Sequence, residues 1–494
     1  MYVTRGGHGG IPDEFEGIFR RAAGTRKGED GMKKQGRIHF VGIGGHGMSS
    51  IARVLLQMGY EISGSDVADS PRVRALRAAG ADVHIGHSEI LVEGASRVVV
   101  SAAVPRNNVE VLAAVRLGIP VASRAEMLGE LMNPRVGVAI SGTHGKTTTS
   151  SMIATVLIEA GLDPTCVLGE EVDAVPGGGR SGRGEVVVVE ADEAYGSFLK
   201  LWPKIAVVTN IDDDHLDYYG TSRAIDEAFV EFLGHVPEEG LAVLSCENAR
   251  LMAIEKHQKH LKCRKVLYGL SSGDISCLDP VRVGRGYRFG VLYRGRLLGQ
   301  LELGVPGRHN IANALACVGV GLELGVPFDV VRRGLALFRG ARRRQEVIGE
   351  VGGVTVVDDY AHHPTEIRAT LAALKESHGG RLVVVFQPQR FTRTKLLFDE
   401  FARSFSSADV VVITEIYHRG TGEEPIAGVT GERLADAIRA HEGPGGPRVE
   451  FIGTLQEIVS WLLSEVRSGD LVVTMGAGDV DSCARELVKR MRTD

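Results

Sequence analysis

Residues 135–161 read RVGVAISGTHGKTTTSSMIATVLIEAG, and this stretch decides the fold class. RVGVAIS (135–141) is an apolar, β-prone run, and SMIATVLIEAG (151–161) carries helical periodicity. The glycine-rich SGTHGKTTT (141–149) joins them. A glycine turn between a buried strand and a helix aims backbone N–H groups and the helix N-terminus at one point, which suits a phosphate. Gly142, Thr143, His144, Gly145, Lys146, Thr147 and Thr148 are therefore expected to wrap the phosphates of a nucleotide. Lys146 suits the β- and γ-phosphates, and the Thr147 hydroxyl suits Mg²⁺. Ile140 stands five residues before Gly145, where the commoner phosphate loop has glycine, so this is the shorter GTxGKT form.

Downstream, EVVVVE (185–190) and KIAVVTNI (204–211) read as further buried strands of the same sheet. Glu190 ends the first and the acidic TNIDDDHLDYYG (209–220) follows the second. Carboxylates at the C-terminal edge of parallel strands lie where ligands bind, so one of Glu190, Asp192 and Glu193 is expected to hold Mg²⁺, with a second metal site at the acidic cluster around His215. The region 241–306 is more β-like and irregular, and GRHNIANALACVGVGLELG (307–325) predicts a helix entered through a glycine turn.

Upstream, an apolar run at 37–43 leads into GIGGHGM, then a helical SSIARVLLQMG and a second strand, YEISGSD, ending in Asp66. Gly42, Gly44, Gly45 and Gly47 permit a tight turn and the close approach of a diphosphate, with Asp66 placed for a ribose. On these residues alone the loop reads equally as NAD or UDP binding. RVVVSAAV (97–104) predicts another strand. Towards the C-terminus, VTVVDDY (354–360), RLVVVFQ (381–387), DVVVITE (409–415) and LVVTMG (471–476) alternate with helical segments and predict a third parallel sheet. The loops DDYAHHP, FQPQRFTR, TEIYHRG and MGAGD then converge on one edge of it.

The expected architecture is α/β in three domains: a Rossmann-like unit at 37–132, a central P-loop ATPase unit at 133–327, and a Rossmann-like unit at 328–494. Residues 1–36, glycine-rich and aperiodic, predict a flexible extension. A net charge of −5 gives no sign of a nucleic-acid partner, and no apolar run is long enough to cross a bilayer. Six singly scattered cysteines fit a reducing, cytoplasmic location and argue against a disulfide framework or zinc cage. Oligomeric state is not legible.

These motifs, with SRAEML, VEADE, PGRHNIANALA, VFQPQRFTRT and LVVTMGAGD, run in order from about residue 37 to the C-terminus and resemble the Mur ligase family, most closely its alanine-adding branch. The resemblance implies ATP- and Mg²⁺-dependent joining of L-alanine to UDP-N-acetylmuramate through an acyl phosphate, in peptidoglycan precursor synthesis, with a mobile third domain. It implies that the GIGGHGM loop holds the UDP-sugar and that Thr147, Glu190 and His215 coordinate Mg²⁺. It puts His309 and Asn310 near adenine and an ATP-contacting arginine at Arg343 or Arg344. Tyr360, His362, Arg390 and Arg393 fall in the amino-acid pocket, where the arginines clamp the carboxylate and His362 or Asp359 orients the amine or takes its proton. Lys146, His362 and Arg390 are the expected catalytic residues. Two positions depart from the family pattern: Ala194-Tyr195, where Ser-Asp is usual, and His46, where a small residue is usual. The alternatives are a ligase that recycles a murein tripeptide onto the same UDP-sugar, and a catalytically silent ATP-binding homologue.

Overall fold

The computed structural model describes residues 36–257, 261–419 and 422–493. Apart from Gly36, the expected extension at 1–36 lies outside them. Three sheets follow one another along the chain. The first is wholly parallel: β1 (Arg37–Val41), β2 (Ile62–Asp66), β3 (Asp82–Ile85), β4 (Ala95–Val100) and β5 (Val121–Ser123), in the order β3-β2-β1-β4-β5. The order reverses between β1 and β4, and such a switch opens a crevice at the carboxyl ends of the strands, where GIGGHGM lies. β4 stops at Val100, short of the expected 97–104, because Val104 N–H turns back to the Ser101 carbonyl at 3.0 Å.

The central sheet has ten strands. They are β6 (Val136–Ser141), β7 (Thr165–Val167), β8 (Gly179–Arg180), β9 (Val186–Glu190), β10 (Ile205–Val208), β11 (Leu241–Ser245), β12 (Arg264–Gly269), β13 (Ile275–Val283), β14 (Gly286–Tyr293) and β15 (Arg296–Leu303). β6 lies between β9 and β10, all parallel, with Ile140 opposite Glu190 and Ser141 opposite Val208. This register brings the glycine loop, Glu190 and the acidic 209–220 segment side by side at one edge. The irregular 241–306 region resolves into two more parallel strands and the antiparallel meander β13–β15.

The sequence assigns the helix Phe328–Leu337 to the third unit, yet it packs on the central helix Lys146–Glu159 and on β15. Its Val331 and Leu335 are fully buried in the central core. The reason is steric as well as apolar: Gly334 lets the helices approach so closely that a β-carbon there would stand 2.8 Å from Val156 Cα.

The third sheet runs β16 (Glu346–Val351), β17 (Val354–Asp359), β21 (Leu471–Met475), β18 (Leu382–Phe386), β19 (Val410–Ile413), β20 (Arg448–Phe451). It is parallel except for β16, an antiparallel edge strand turned at Gly352 and Gly353, whose φ angles of 58° and 77° suit glycine. Alternate residues of its valine runs enter separate cores on its two faces, Val384 and Val411 on one, Val383 and Val410 on the other. A sheet covered on both faces requires such unbroken apolar strands. Among the described residues, no helix is long and apolar enough to cross a membrane.

Candidate active site

The glycine loop owes its shape to two left-handed residues, Gly142 (φ 123°) and Gly145 (φ 83°). A β-carbon on Gly142 would run into Thr209 Oγ1, and one on Gly145 would stand 3.0 Å from Asn313 Oδ1. Asn210 Oδ1 accepts from His144 N at 2.9 Å, so the β10 loop braces the phosphate loop from its side. Lys146 opens the following helix, its ammonium donating to the Gly142 carbonyl (2.8 Å) and to Glu193 (2.8 and 3.0 Å). Burial disfavours this charge, but Glu193 and then Asp192 outweigh it and hold the ammonium above its ordinary range.

The expected metal residues fall into two groups around one cavity of about 350 Å³. Glu190, its carboxyl raised by burial, accepts from Thr147 and from Gly169 N (3.1 Å). His215 instead clusters with Asp192 and Glu193, with one ligand atom of each within 4.8 Å of the others. Thr147, Glu190, Asp192 and His215 all line the cavity. Oxygen donors predominate, which fits Mg²⁺. The buried Ser141 Oγ, Thr149 Oγ1 and Arg344 Nε have no hydrogen-bond partner. Of the three, Arg344 lines the cavity, and with the glycine cradle it fits a phosphorylated ligand.

The third domain closes the same cavity with Arg344, Tyr360, His362, Glu366, Arg390 and Arg393. Both clamp arginines rest on carboxylates. Arg390 donates to Asp217 (2.8 Å) and Glu423 (2.7 Å), and Arg393 lies 3.3 Å from Asp214. Asp214 and Asp217 belong to the central acidic segment, so these pairs join the two domains. Burial lowers His362 to about 4, leaving it neutral. Its Nδ1 lies 3.0 Å from the Tyr360 carbonyl. A base so weak is far from the near-neutral pKa that suits proton abstraction. Orienting the amine is therefore the role that fits. Asp359, the alternative, does not line this cavity: its two oxygens accept from Gln345 N (2.9 Å) and Ala361 N (2.7 Å).

The two arginines entering the third domain part company. Arg343 does not line either large cavity: it donates to Asp358 (3.0 Å) and to the carbonyls of Gly476 (2.8 Å) and Gly478 (3.1 Å), binding the loops of its own sheet. Arg344 lines both. The second cavity, about 680 Å³, also takes His144, Gly145, Thr148, His309 and Asn310. Asn310 is itself engaged, donating to the Pro306 carbonyl at 2.6 Å, and burial, aided by Arg344, lowers His309 to about 4.

From the first domain His46, Gly47, Arg124 and Leu128 reach the cavity. Gly42, Gly44 and Gly45 form the turn behind, Gly42 at φ 78°. Asp66 organises that turn: its oxygens accept from Gly44 N (2.8 Å) and Ala68 N (3.2 Å). Its position was expected to suit a ribose. His46 Nε2 reaches Glu170 of the central domain at 2.7 Å, so its imidazole adds a link between two domains that Ser50 Oγ also joins by donating to the Leu168 carbonyl (3.1 Å). Tyr195 points away from the cavity, half-exposed against Tyr218.

Sequence reasoning named Asp192 and Glu193 beside Glu190 without saying which holds a metal, and missed Asp214, Glu366, Glu170 and Arg124 as site residues. Several stand inside motifs it had found, such as VEADE and SRAEML, but nothing in those strings says which carboxylate faces the lysine. Glu170 carried no signal.

Three family models match the chain: Mur ligase family, catalytic domain, over 37–135; Mur ligase middle domain over 140–321; and Mur ligase, glutamate ligase domain, over 343–478. The chain is 48% identical to the UDP-N-acetylmuramate–L-alanine ligase of Geotalea daltonii over 457 residues, covering 92% of this chain and 98% of that one. It is 46% identical to that of Pelotomaculum thermopropionicum, covering 93% and 99%. The solved UDP-N-acetylmuramate–alanine ligase of Thermotoga maritima superposes with a TM-score of 0.79 at 29% identity, covering 93% and 100%. A murein peptide ligase from Psychrobacter arcticus shares the fold, with a TM-score of 0.70 at 24% identity over 92% and 99%.

Proposed function

The chain belongs to the Mur ligase family of ATP-dependent ligases, and from that premise we propose that it joins L-alanine to the carboxylate of UDP-N-acetylmuramate in the cytoplasm. One observation carries the reading: Lys146, Arg344, Arg390 and Arg393 of the third domain, and His46 and Gly47 of the first domain's glycine loop line a single cavity. Amide formation from a carboxylate stalls because its oxygen leaves poorly, and phosphorylation turns that oxygen into a phosphate leaving group. Lys146 sits where it neutralises the transferring phosphoryl, exchanging its Glu193 partner for phosphate oxygens. Thr147 with Glu190, and His215 with Asp192 and Glu193, are the residues that would hold Mg²⁺. Bound there, the ion supplies charge neutralisation and alignment of the phosphates. Arg390 and Arg393 present planar guanidinium groups for the alanine carboxylate, and neutral His362 accepts a hydrogen bond from the amine. Arg344, Tyr360 and His46 close the cavity against water, which protects an acyl phosphate from hydrolysis.

The test is phosphate release from ATP with Mg²⁺ and UDP-N-acetylmuramate, with and without L-alanine, and the mass of the product. Alanine-dependent release with an amide-linked product is expected. Turnover with the murein tripeptide and none with alanine overturns the choice of amine, and silence with both overturns the ligase reading.

A further inference from the structure

We propose that His144, Asp212 and His363 form a binding site for a divalent transition metal of the zinc class, which staples the central domain to the third. One ligand atom from each lies within 4.8 Å of the others. His144 Nε2 is 3.1 Å and His363 Nδ1 3.8 Å from Asp212 Oδ2, and the two rings lie 4.8 Å apart. A tetrahedral ion about 2.0–2.1 Å from each nitrogen needs ligand atoms roughly 3.4 Å apart. The two nitrogen–carboxylate distances bracket that spacing.

The surroundings match those of a metal-bound imidazole, whose outer nitrogen is directed at an oxygen that fixes the ring. His363 Nε2 lies 3.3 Å from the Asp213 carbonyl, and the buried His144 Nδ1 stands at ion-pair distance, 3.3 Å, from Glu366 Oε1 without an aligned hydrogen bond. His363 Nδ1 accepts from Thr365 N at 3.3 Å, a long cap bond that an ion at this nitrogen replaces. Thr365 Oγ1 donates to Asp212 Oδ2 at 2.8 Å and steadies the carboxylate. The larger cavity, which His144 and Asp212 help to line, leaves a fourth position to water. Two imidazoles and one carboxylate favour zinc over magnesium, which prefers oxygen donors and octahedral geometry.

None of Thr147, Glu190 and His215 belongs to this cluster. The three ligands come from the phosphate loop, the segment after β10 and the cap of the third domain's helix Pro364–Ser377. An ion held by all three opposes separation of the domains, so it slows turnover. The site stands independently of which amine the enzyme uses.

The experiment is calorimetric titration of the full chain with zinc chloride in excess Mg²⁺, with Co²⁺ absorption reporting geometry. One tetrahedral site is expected, weakened at least about tenfold in His363→Gln and in Asp212→Asn and retained in His215→Ala. Zinc at saturating concentration is expected to slow ATP turnover of the unmodified chain and to affect His363→Gln far less. Thermal unfolding confirms that each variant folds, and either one alone carries the result. Affinity unchanged in the folded variants, loss only in His215→Ala, thiolate charge-transfer bands with Co²⁺, or no binding at all overturns the proposal.

Discussion

At the residue scale, the site is governed by which charges burial leaves paired. Lys146 and Glu193 neutralise each other, and in the proposed reaction a phosphate takes the carboxylate's place. Lys146→Met keeps the length of the side chain but removes the charge that opposes the rise burial imposes on Glu193. Phosphate release is expected to fall by at least about 10²-fold, as for loss of one preorganised charge on a developing anion. Turnover within a few-fold of normal would exclude Lys146 from phosphoryl transfer. Adjacent arginines give a sharper contrast. Arg344 lines both cavities, so Arg344→Lys is expected to raise KM for ATP with little change in melting temperature. Arg343 holds Asp358 and two loop carbonyls, so Arg343→Lys is expected to lower the melting temperature and spare that KM. Steady-state kinetics beside thermal unfolding separates the two, and the reverse pattern would exchange their roles. The run RRR at 342–344 does not reveal this division, because Arg343 adopts φ 57° and turns its side chain away from its neighbour's.

At the element scale, the helix Phe328–Leu337 shows how a sequence boundary and a packing boundary differ. Proximity to the third unit suggested membership of it, whereas the amphipathic face of the helix and Gly334 fit it to the helix Lys146–Glu159. In Gly334→Ala two effects compete. Better helix propensity contributes about 1 kcal/mol, and overpacking costs about 1–3 kcal/mol. The overpacking wins, because the atom met is the backbone Cα of Val156 and cannot swing aside. A melting temperature lower by roughly 2–4 °C is expected, and an increase would mean that the helices separate freely. Strand prediction fared well where both faces are buried, as in β9 and β19, since continuous valine admits little else. It was poorest for β13 to β16, whose mixed exposure blurs the pattern.

At the scale of the whole molecule, three domains are held around one cavity by pairs of side chains. His46 with Glu170 joins the first to the second, and Arg390 with Asp217 and His144 with Glu366 join the second to the third. Burial opposes the charge on His144, yet Asp212 and Glu366 lift it to about 9 against an ordinary 6.5, with His363 the remaining titratable neighbour. Because the folded pKa is the higher, this stabilisation is complete below about 6.5 and is lost as pH rises through about 9. In the absence of nucleotide, the melting temperature is therefore expected to fall between pH 7 and about 9.5, and to fall less in His144→Gln. Equal pH slopes in the two proteins would show that His144 carries no charge at the seam.

Three α/β units, a glycine loop between strand and helix, the acidic strand ends and the family are legible in the chain order, because each is a local pattern: a glycine spacing, an apolar run, an ordered motif. Which of the grouped residues meet depends on how the strands and domains pack. Glu190 faces Thr147 and His215 faces Glu193, since the register of β9 and β10 against β6 fixes where each strand end points. Asp66 turned out to brace its own glycine loop, and Arg343 its own domain. Contacts between domains depend on surfaces far apart in the chain, and no local pattern records them.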